Sequence, residues 1–492
     1  MYKLIGLASL LLLLFACKAK TVQPPKPYGA IPSERQMKWH QMEIYAFLHF
    51  TTNTFTDKEW GYGDEPESVF NPTNFDADQI IGTLREAGFK GAILTAKHHD
   101  GFCLWPSAYT EHSVKNSPWK DGKGDVVKEI SDACRKYQLR FGVYLSPWDR
   151  NYSGYGRSEY ITYYRNQLNE LLTNYGKVFE VWWDGANGGD GYYGGARETR
   201  KIDRSTYYEW DTLISMVRQM QPDACIFSDA GPDIRWVGNE HGFARDSCWE
   251  TYTPLPAKGE TKAVAGTTQW QVGETGTQNG KFWMPAEADV SIRPGWFYHP
   301  KENDKVKSLS DLVEIYFHSV GNGTSLNLNI PPDRSGRINP IDSLRLMEFH
   351  DWLKEAFDSN LLKNAQVTAS AVRGGNERYL AGNTVDDDPA TYWATDDEVR
   401  NGVLVYTLPG KETFNCFMVQ EYIPLGQRVT NFTLDIWQNG AWKTIAGGST
   451  IGYKKLVRFP LVTAGKVRLN IQQAMACPVI SNTGLFLLPQ TL

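Results

Sequence analysis

From about residue 44 to 330, short apolar runs alternate with amphipathic stretches. The runs at 44–49, 91–96, 140–146, 178–183, 224–228, 247–251, 282–285 and 325–330 read as mostly buried strands. Between several of them apolar residues recur at helical spacing, over 76–87, 125–137, 158–175, 206–219 and 309–319. Strand and helix repeated about eight times predict an α/β chain folded as a (β/α)8-type barrel. The later strands are weakly marked, so irregularity is expected around strands five to seven.

After residue 343 the periodicity changes. Residues 344–355 read as a last helix. From about residue 365, short alternating runs at 402–408, 414–421, 431–438, 441–445, 455–460 and 466–472 are separated by Gly, Asn and Asp turns. That is the pattern of a β-sandwich of jelly-roll type. The expected division is a barrel over 35–355 and a sandwich over 356–492, consistent with a length of 492 residues.

The first residues follow another logic. Met1-Tyr2-Lys3 is a short positive start, and residues 4–15 form an apolar core too short to span a bilayer comfortably. Leu14-Phe15-Ala16-Cys17 resembles the lipobox of bacterial lipoproteins. The resemblance implies a signal peptide over 1–17, acylation of Cys17 and a lipid anchor in a membrane. An exported bacterial lipoprotein of the periplasm or outer membrane is therefore expected, with a plain secretory signal as the alternative. Residues 18–34, which include Pro24-Pro25-Lys26-Pro27, read as a tether.

Composition narrows the chemistry. Aromatic residues make up 13% of the chain, with 17 Trp and 25 Tyr, an excess that suits stacking on the C–H faces of sugars. The net charge of −5 has no long basic run, which argues against nucleic acid. Beyond Cys17, the six cysteines form no zinc-type spacing. A Cys416–Cys477 disulfide and isolated buried thiols are both open.

Barrel enzymes gather their chemistry at the C-terminal ends of the strands. Here those ends carry His49, Lys97-His98-His99-Asp100, Tyr144 with Trp148, Asp184, Asp229 and Glu287. By spacing alone Asp184, in Val181-Trp182-Trp183-Asp184-Gly185, would be a helix cap or a loop carboxylate. Its place on a rim crowded with titratable groups favours a reactive carboxylate instead. Glycoside hydrolysis needs two carboxyl groups. Asp184, leaving a rigid strand, suits the nucleophile. For the acid/base partner, Glu59, Glu240, Glu250, Glu287 and Asp229 are all placed by position, and spacing does not rank them.

Several segments carry a resemblance. They are His49-Phe50, Glu59-Trp60, the run from Thr95 to Phe102, Val143-Tyr144-Leu145-Ser146 and Trp182-Trp183-Asp184-Gly185. They resemble the α-L-fucosidases of glycoside hydrolase family 29. The closing segments Val320-Gly321-Asn322-Gly323, Leu326-Asn327-Leu328-Asn329 and Pro332-Asp333 fit as well. The resemblance implies an exo-acting, retaining enzyme that removes terminal L-fucose through a covalent intermediate on Asp184. It also implies that His49, Glu59, Trp60, His98, His99, Tyr144 and Trp182 surround the sugar. Gly231 to Glu240 is similar to the segment bearing the acid/base group in the subgroup that prefers α-1,3 and α-1,4 linkages, so Glu240 is expected in that role. The stretch from Ser291 to Phe297 fits the same subgroup and adds Arg293 and Trp296 as residues shaping the site. The chemistry requires no cofactor and no metal in the catalytic site. The expected partners are fucosylated oligosaccharides or glycoconjugates.

In the second domain, the segment from Asn383 to Trp393 resembles discoidin-like (factor 5/8 type C) domains, which include many carbohydrate-binding modules. Its Asp386-Asp387-Asp388 loop is expected either to hold a structural calcium ion or to form an Asx-rich turn. Two rival functions remain at this stage. One is a non-catalytic glycan-binding surface lipoprotein. The other is a glycosidase for a related sugar such as galactose.

Overall fold

The computed structural model describes residues 22–490, so the signal-like segment and the lipidation expected at Cys17 lie outside the described residues. Eight parallel strands wind into a nearly closed barrel. They are β1 (Ile44–Leu48), β2 (Gly91–Lys97), β3 (Arg140–Leu145), β4 (Val178–Trp182), β5 (Cys225–Phe227), β6 (Arg235–Trp236), β7 (Ala286–Ser291) and β8 (Ser325–Asn329). Their order around the sheet is β5-β4-β3-β2-β1-β8-β7-β6. A parallel bridge between Phe227 and Ile234 brings the two edges together.

Helices follow strands one to four and seven to eight: Ala77–Glu86, Val126–Lys136, Glu159–Asn174, Trp210–Met220, Leu309–His318 and Pro340–Phe357. Their starts are set by side chains that satisfy free backbone N–H groups. Asp76 accepts from the Gln79 N–H, Asp125 from the Lys128 N–H, and Ser308 forms a capping box with Asp311.

The irregularity falls where the pattern weakens. Residues 247–251 and 282–285 are not barrel strands. Thr251–Tyr252 instead pairs antiparallel with Phe282–Trp283 in a separate ribbon. The sixth and seventh barrel strands are Arg235–Trp236 and Ala286–Ser291. The sixth is only two residues long, and the seventh carries Glu287, Asp289 and Ser291 inward. Neither therefore presents the apolar run that marks an ordinary buried strand.

The C-terminal domain is antiparallel and sheet-rich. Its strands are β9 (Gln366–Ala369), β10 (Trp393–Ala394), β11 (Gly402–Glu421), β12 (Val429–Gln438), β13 (Ala441–Gly448), β14 (Lys455–Ala474) and β15 (Val479–Phe486). The strands expected at 402–408 and 414–421 are one long strand, as are those at 455–460 and 466–472. Register shifts between Thr407 and Glu412, and between Phe414 and Cys416, absorb the Pro409-Gly410 break as bulges. Trp393, Leu404, Tyr406, Phe417, Phe432 and Leu469 fill this domain's own core.

The two domains are fastened together. Gln427 accepts the Glu250 N–H at 2.7 Å and donates to the Cys248 carbonyl at 2.9 Å. Arg458 grips Glu314 through both nitrogens at 2.6 and 2.7 Å, and His40 stacks on Tyr453 at 4.1 Å. The described part of the expected tether is also held. Arg373 donates to the carbonyls of Gln23 and Pro24, Arg428 donates to that of Lys26, and the Tyr28 N–H reaches the Leu425 carbonyl.

All six cysteines of the described residues are free and buried, so Cys416 and Cys477 are not joined. The acidic loop contains Asx turns. Asp386 accepts from the Asp388 N–H and the Thr391 hydroxyl, and Asp388 accepts from the Ala390 N–H. Among the described residues no group of three or more His, Cys, Asp or Glu side chains converges as a metal site.

Candidate active site

The strand ends of β1 to β4, β7 and β8 converge on one pocket. Its carboxylate is Asp184, two residues past the end of β4, with a side chain 26% exposed. The Tyr144 hydroxyl donates to Oδ2 at 3.1 Å, and the Ala186 N–H donates to Oδ1 at 2.7 Å. Burial raises its pKa above the ordinary carboxylate value, and these two donors pull it back.

Three imidazoles gather on this rim, and the tautomers of two of them follow from their partners. Ser146 donates to the Trp148 carbonyl at 2.6 Å, so its oxygen accepts from His99 Nδ1–H at 2.7 Å. His99 Nε2 is then a bare acceptor, 3.8 Å from Asp184 Oδ2. Asn329 donates to the Trp296 carbonyl and to Ser291, which leaves its Oδ1 to accept His49 Nδ1–H at 2.8 Å. His49 Nε2 is likewise an acceptor. Burial depresses His49 and His99 to about 3, and pushes His98 well below the ordinary value, so all three are neutral at neutral pH. His98 stacks on Tyr144 at 5.7 Å, and its Nδ1 has no partner.

Aromatic rings build the floor and walls. Trp182 stacks between Tyr144 at 5.1 Å and Phe227 at 4.2 Å, with Phe47 beside it. Its Nε1–H donates to Glu287 at 2.7 Å. Trp296 lies 5.2 Å from His49, and the exposed Trp60 packs edge-on against His99 and Trp148. Glu59 is fixed from three sides, by the Trp296 and Phe297 N–H groups and by His299 Nε2 at 2.6 Å. A Cβ on Gly295 would lie 2.5 Å from Glu59 Oε1, so a larger residue there would have to displace that carboxylate. Flanked by Asp57 and Glu59, which outweigh its burial, His299 titrates above its ordinary value.

The other carboxylates at the strand ends separate by environment. Glu287 is fully buried in the barrel, where Tyr45, Trp182 and Asn327 all donate to it. Glu250 is sealed at the domain junction. Asp229 latches the excursion between β6 and β7, accepting from the Gly266 N–H and the Thr268 hydroxyl. Asp100 is buried beneath the rim, accepting from Thr51, Thr52 and the Phe102 N–H. Lys97 also points away from the pocket, to Asp149 at 3.0 Å and Gln167 at 2.8 Å within a cage of tyrosines. Glu240 stays exposed on the loop after β6, which Asn239 clamps by accepting from the His241 and Phe243 N–H groups.

Arg293 departs from expectation. It is fully buried, bonded to Asp342 at 2.8 Å and Asn303 at 3.0 Å, and packed over Tyr298. It braces the strap after β7, the segment that carries Trp296 and Phe297. Sequence reasoning missed Phe297, which meets His49 and His98 edge-on, and Asn329, which orients His49. Asn329 could have been found from the alternation Asn327-Leu328-Asn329, which places two amides on the inner face of a barrel strand.

The α-L-fucosidase family profile matches residues 26–356, and the F5/8 type C domain profile matches residues 366–482. Alpha-L-fucosidase 1 of Arabidopsis thaliana is 40% identical over 94% of this chain and 88% of its own length. A putative α-L-fucosidase of Bacteroides thetaiotaomicron is 40% identical, covers 95% of this chain and all of its own, and superposes with a TM-score of 0.85. A Ruminococcus gnavus GH29 fucosidase solved in complex with fucose is 32% identical over 95% of this chain and 97% of its own, with a TM-score of 0.84. The chain therefore belongs to the α-L-fucosidase family, glycoside hydrolase family 29, and is an α-L-fucosidase with a C-terminal F5/8 type C domain.

Proposed function

We propose that the pocket removes terminal L-fucose with retention of configuration, Asp184 acting as nucleophile and Glu240 as acid/base. The observation that carries this is Asp184, held at a strand end by two donors while its side chain remains accessible. A nucleophile needs both fixed geometry and access. In the first step Asp184 attacks the anomeric carbon, and the bond to the glycosidic oxygen breaks as Glu240 donates a proton to that oxygen. In the second, Glu240 takes a proton from water, whose oxygen displaces Asp184 from the anomeric carbon.

Elimination supports Glu240. Glu287, Glu250 and Asp229 are committed to buried partners and Glu59 is tied to His299, whereas Glu240 is exposed on a clamped loop. The neutral imidazoles of His49 and His99 supply acceptors for the sugar hydroxyls, and Glu59 is a further acceptor. Trp60 and Trp296 supply apolar surface for its ring and methyl group, backed by the stacked Trp182 and Tyr144.

The segment from Gly231 to Glu240 supports a preference for α-1,3/1,4-linked fucose in branched glycans. Digestion of a Lewis-type trisaccharide beside 2'-fucosyllactose tests this. Faster release from the branched glycan is expected, and faster release from 2'-fucosyllactose would refute the preference. The lipobox-like residues before Cys17 support export and lipid anchoring. Metabolic labelling with a fatty acid, lost in Cys17→Ala, tests that reading.

A further inference from the structure

Three side chains on β7 alternate into the barrel: Glu287, Asp289 and Ser291. Two of them have partners. Glu287 accepts from Tyr45, Trp182 and Asn327, while Ser291 donates to the Gly295 carbonyl and accepts from Asn329. Asp289 differs. It is 4% exposed, and its Oδ1 meets no hydrogen-bond partner.

Its neighbours show the same deficit. Asn327, its cross-strand partner on β8, has an unpartnered Oδ1, and Trp236, paired with Glu287 on β6, has an unpartnered Nε1. Buried polar groups are normally satisfied, so orphans on three adjacent strands beneath the mouth of a binding pocket point to an absent ligand. They offer the donor and the acceptors that a hydroxyl group requires.

Electrostatics agrees. The groups bearing on Asp289 are Glu287 from its own strand, Glu240 from the loop after β6 and Asp184 from the end of β4, all carboxylates. Burial, reinforced by these charges, drives its pKa well above the ordinary carboxylate range. A neutral carboxyl group both donates and accepts, which a carboxylate cannot.

We propose that Asp289 is a further substrate-contacting residue, whose carboxyl group takes a hydroxyl of the fucosyl unit on the side of the pocket nearest Glu240. This rests on the reading of the pocket given above.

The test uses the full-length enzyme, an aryl α-L-fucoside as substrate and L-fucose as competitive inhibitor, with thermal unfolding as the fold control. Asp289→Ala should raise both KM and the inhibition constant for L-fucose by ~10- to 100-fold at an unchanged melting temperature. Asp289→Asn, a neutral group of the same shape, should recover most of that loss. It should also flatten the weakening of L-fucose binding with rising pH that ionisation of Asp289 causes in the wild type. Unchanged KM and inhibition constant in a folded alanine variant would overturn the proposal. If the alanine variant fails to fold, the asparagine variant decides: retained binding with a flattened pH dependence supports the contact, and a wild-type pH dependence overturns it. A wild-type enzyme that neither cleaves the aryl fucoside nor binds L-fucose would instead refute the reading of the pocket itself.

Discussion

At the scale of single residues, the pocket keeps His49, His98 and His99 neutral and leaves Asp184 accessible. His49 and His99 titrate only near 3, and each presents a bare Nε2 because its Nδ1–H is already engaged. Protonation of His49, His98 or His99 therefore leaves no inflection in kcat/KM near the usual imidazole value of about 6.5. The acid limb belongs to Asp184. Because burial raises its pKa, activity falls as the pH drops through a value above 3.8, where the proposed nucleophile gains its proton. A pH profile of kcat/KM checks this. An acid limb near pH ~6.5 that disappears in His99→Gln would contradict it. The types and rim positions of these residues were legible in the sequence, because strand ends can be read from apolar runs. The tautomers were not, because they depend on Ser146 and Asn329, which reach the imidazoles from other strands.

At the scale of elements, legibility tracked how ordinary each strand is. The first five strands and six helices were readable from apolar runs and caps. The sixth strand was missed because Arg235–Trp236 is too short to register, and the seventh because polar residues line its inner face. Arg293 shows the complementary failure. A polar residue in a motif beside the pocket reads as a ligand contact, yet here it ties the strap after β7 to the last helix. Both Arg293 and Asp342 are fully buried, so Arg293→Ala strands a carboxylate in the core and should destabilise the fold by about 3–5 kcal/mol. The fraction that folds should keep near-normal kcat. Chemical denaturation with parallel kinetics checks this, and a normal stability with lost activity would return Arg293 to the site.

At the scale of the whole molecule, the F5/8 type C domain and the barrel share a polar, buried junction that no local pattern could reveal. Glu250 sits there, raised to about 8 by burial against the opposing pull of Arg235. Glu421, across the junction, is raised to about 7. A carboxyl whose folded pKa exceeds its unfolded value contributes stability fully below the unfolded pKa of about 4.5 and loses it as pH rises through the folded value. The melting temperature should therefore fall between about pH 4.5 and pH 8, and fall less in Glu250→Gln. Calorimetry across that range decides it, an equal fall in both proteins being the adverse result.

The central claim is that Asp184 becomes covalently fucosylated. A fluorinated fucosyl donor, which forms the glycosyl-enzyme quickly and hydrolyses it slowly, can trap that state for peptide mapping by mass spectrometry. The account predicts one fucosyl adduct, on the peptide containing Trp182-Trp183-Asp184-Gly185, and none in Asp184→Ala. An adduct on another carboxylate, or fucose released with inverted configuration and no adduct, would contradict it.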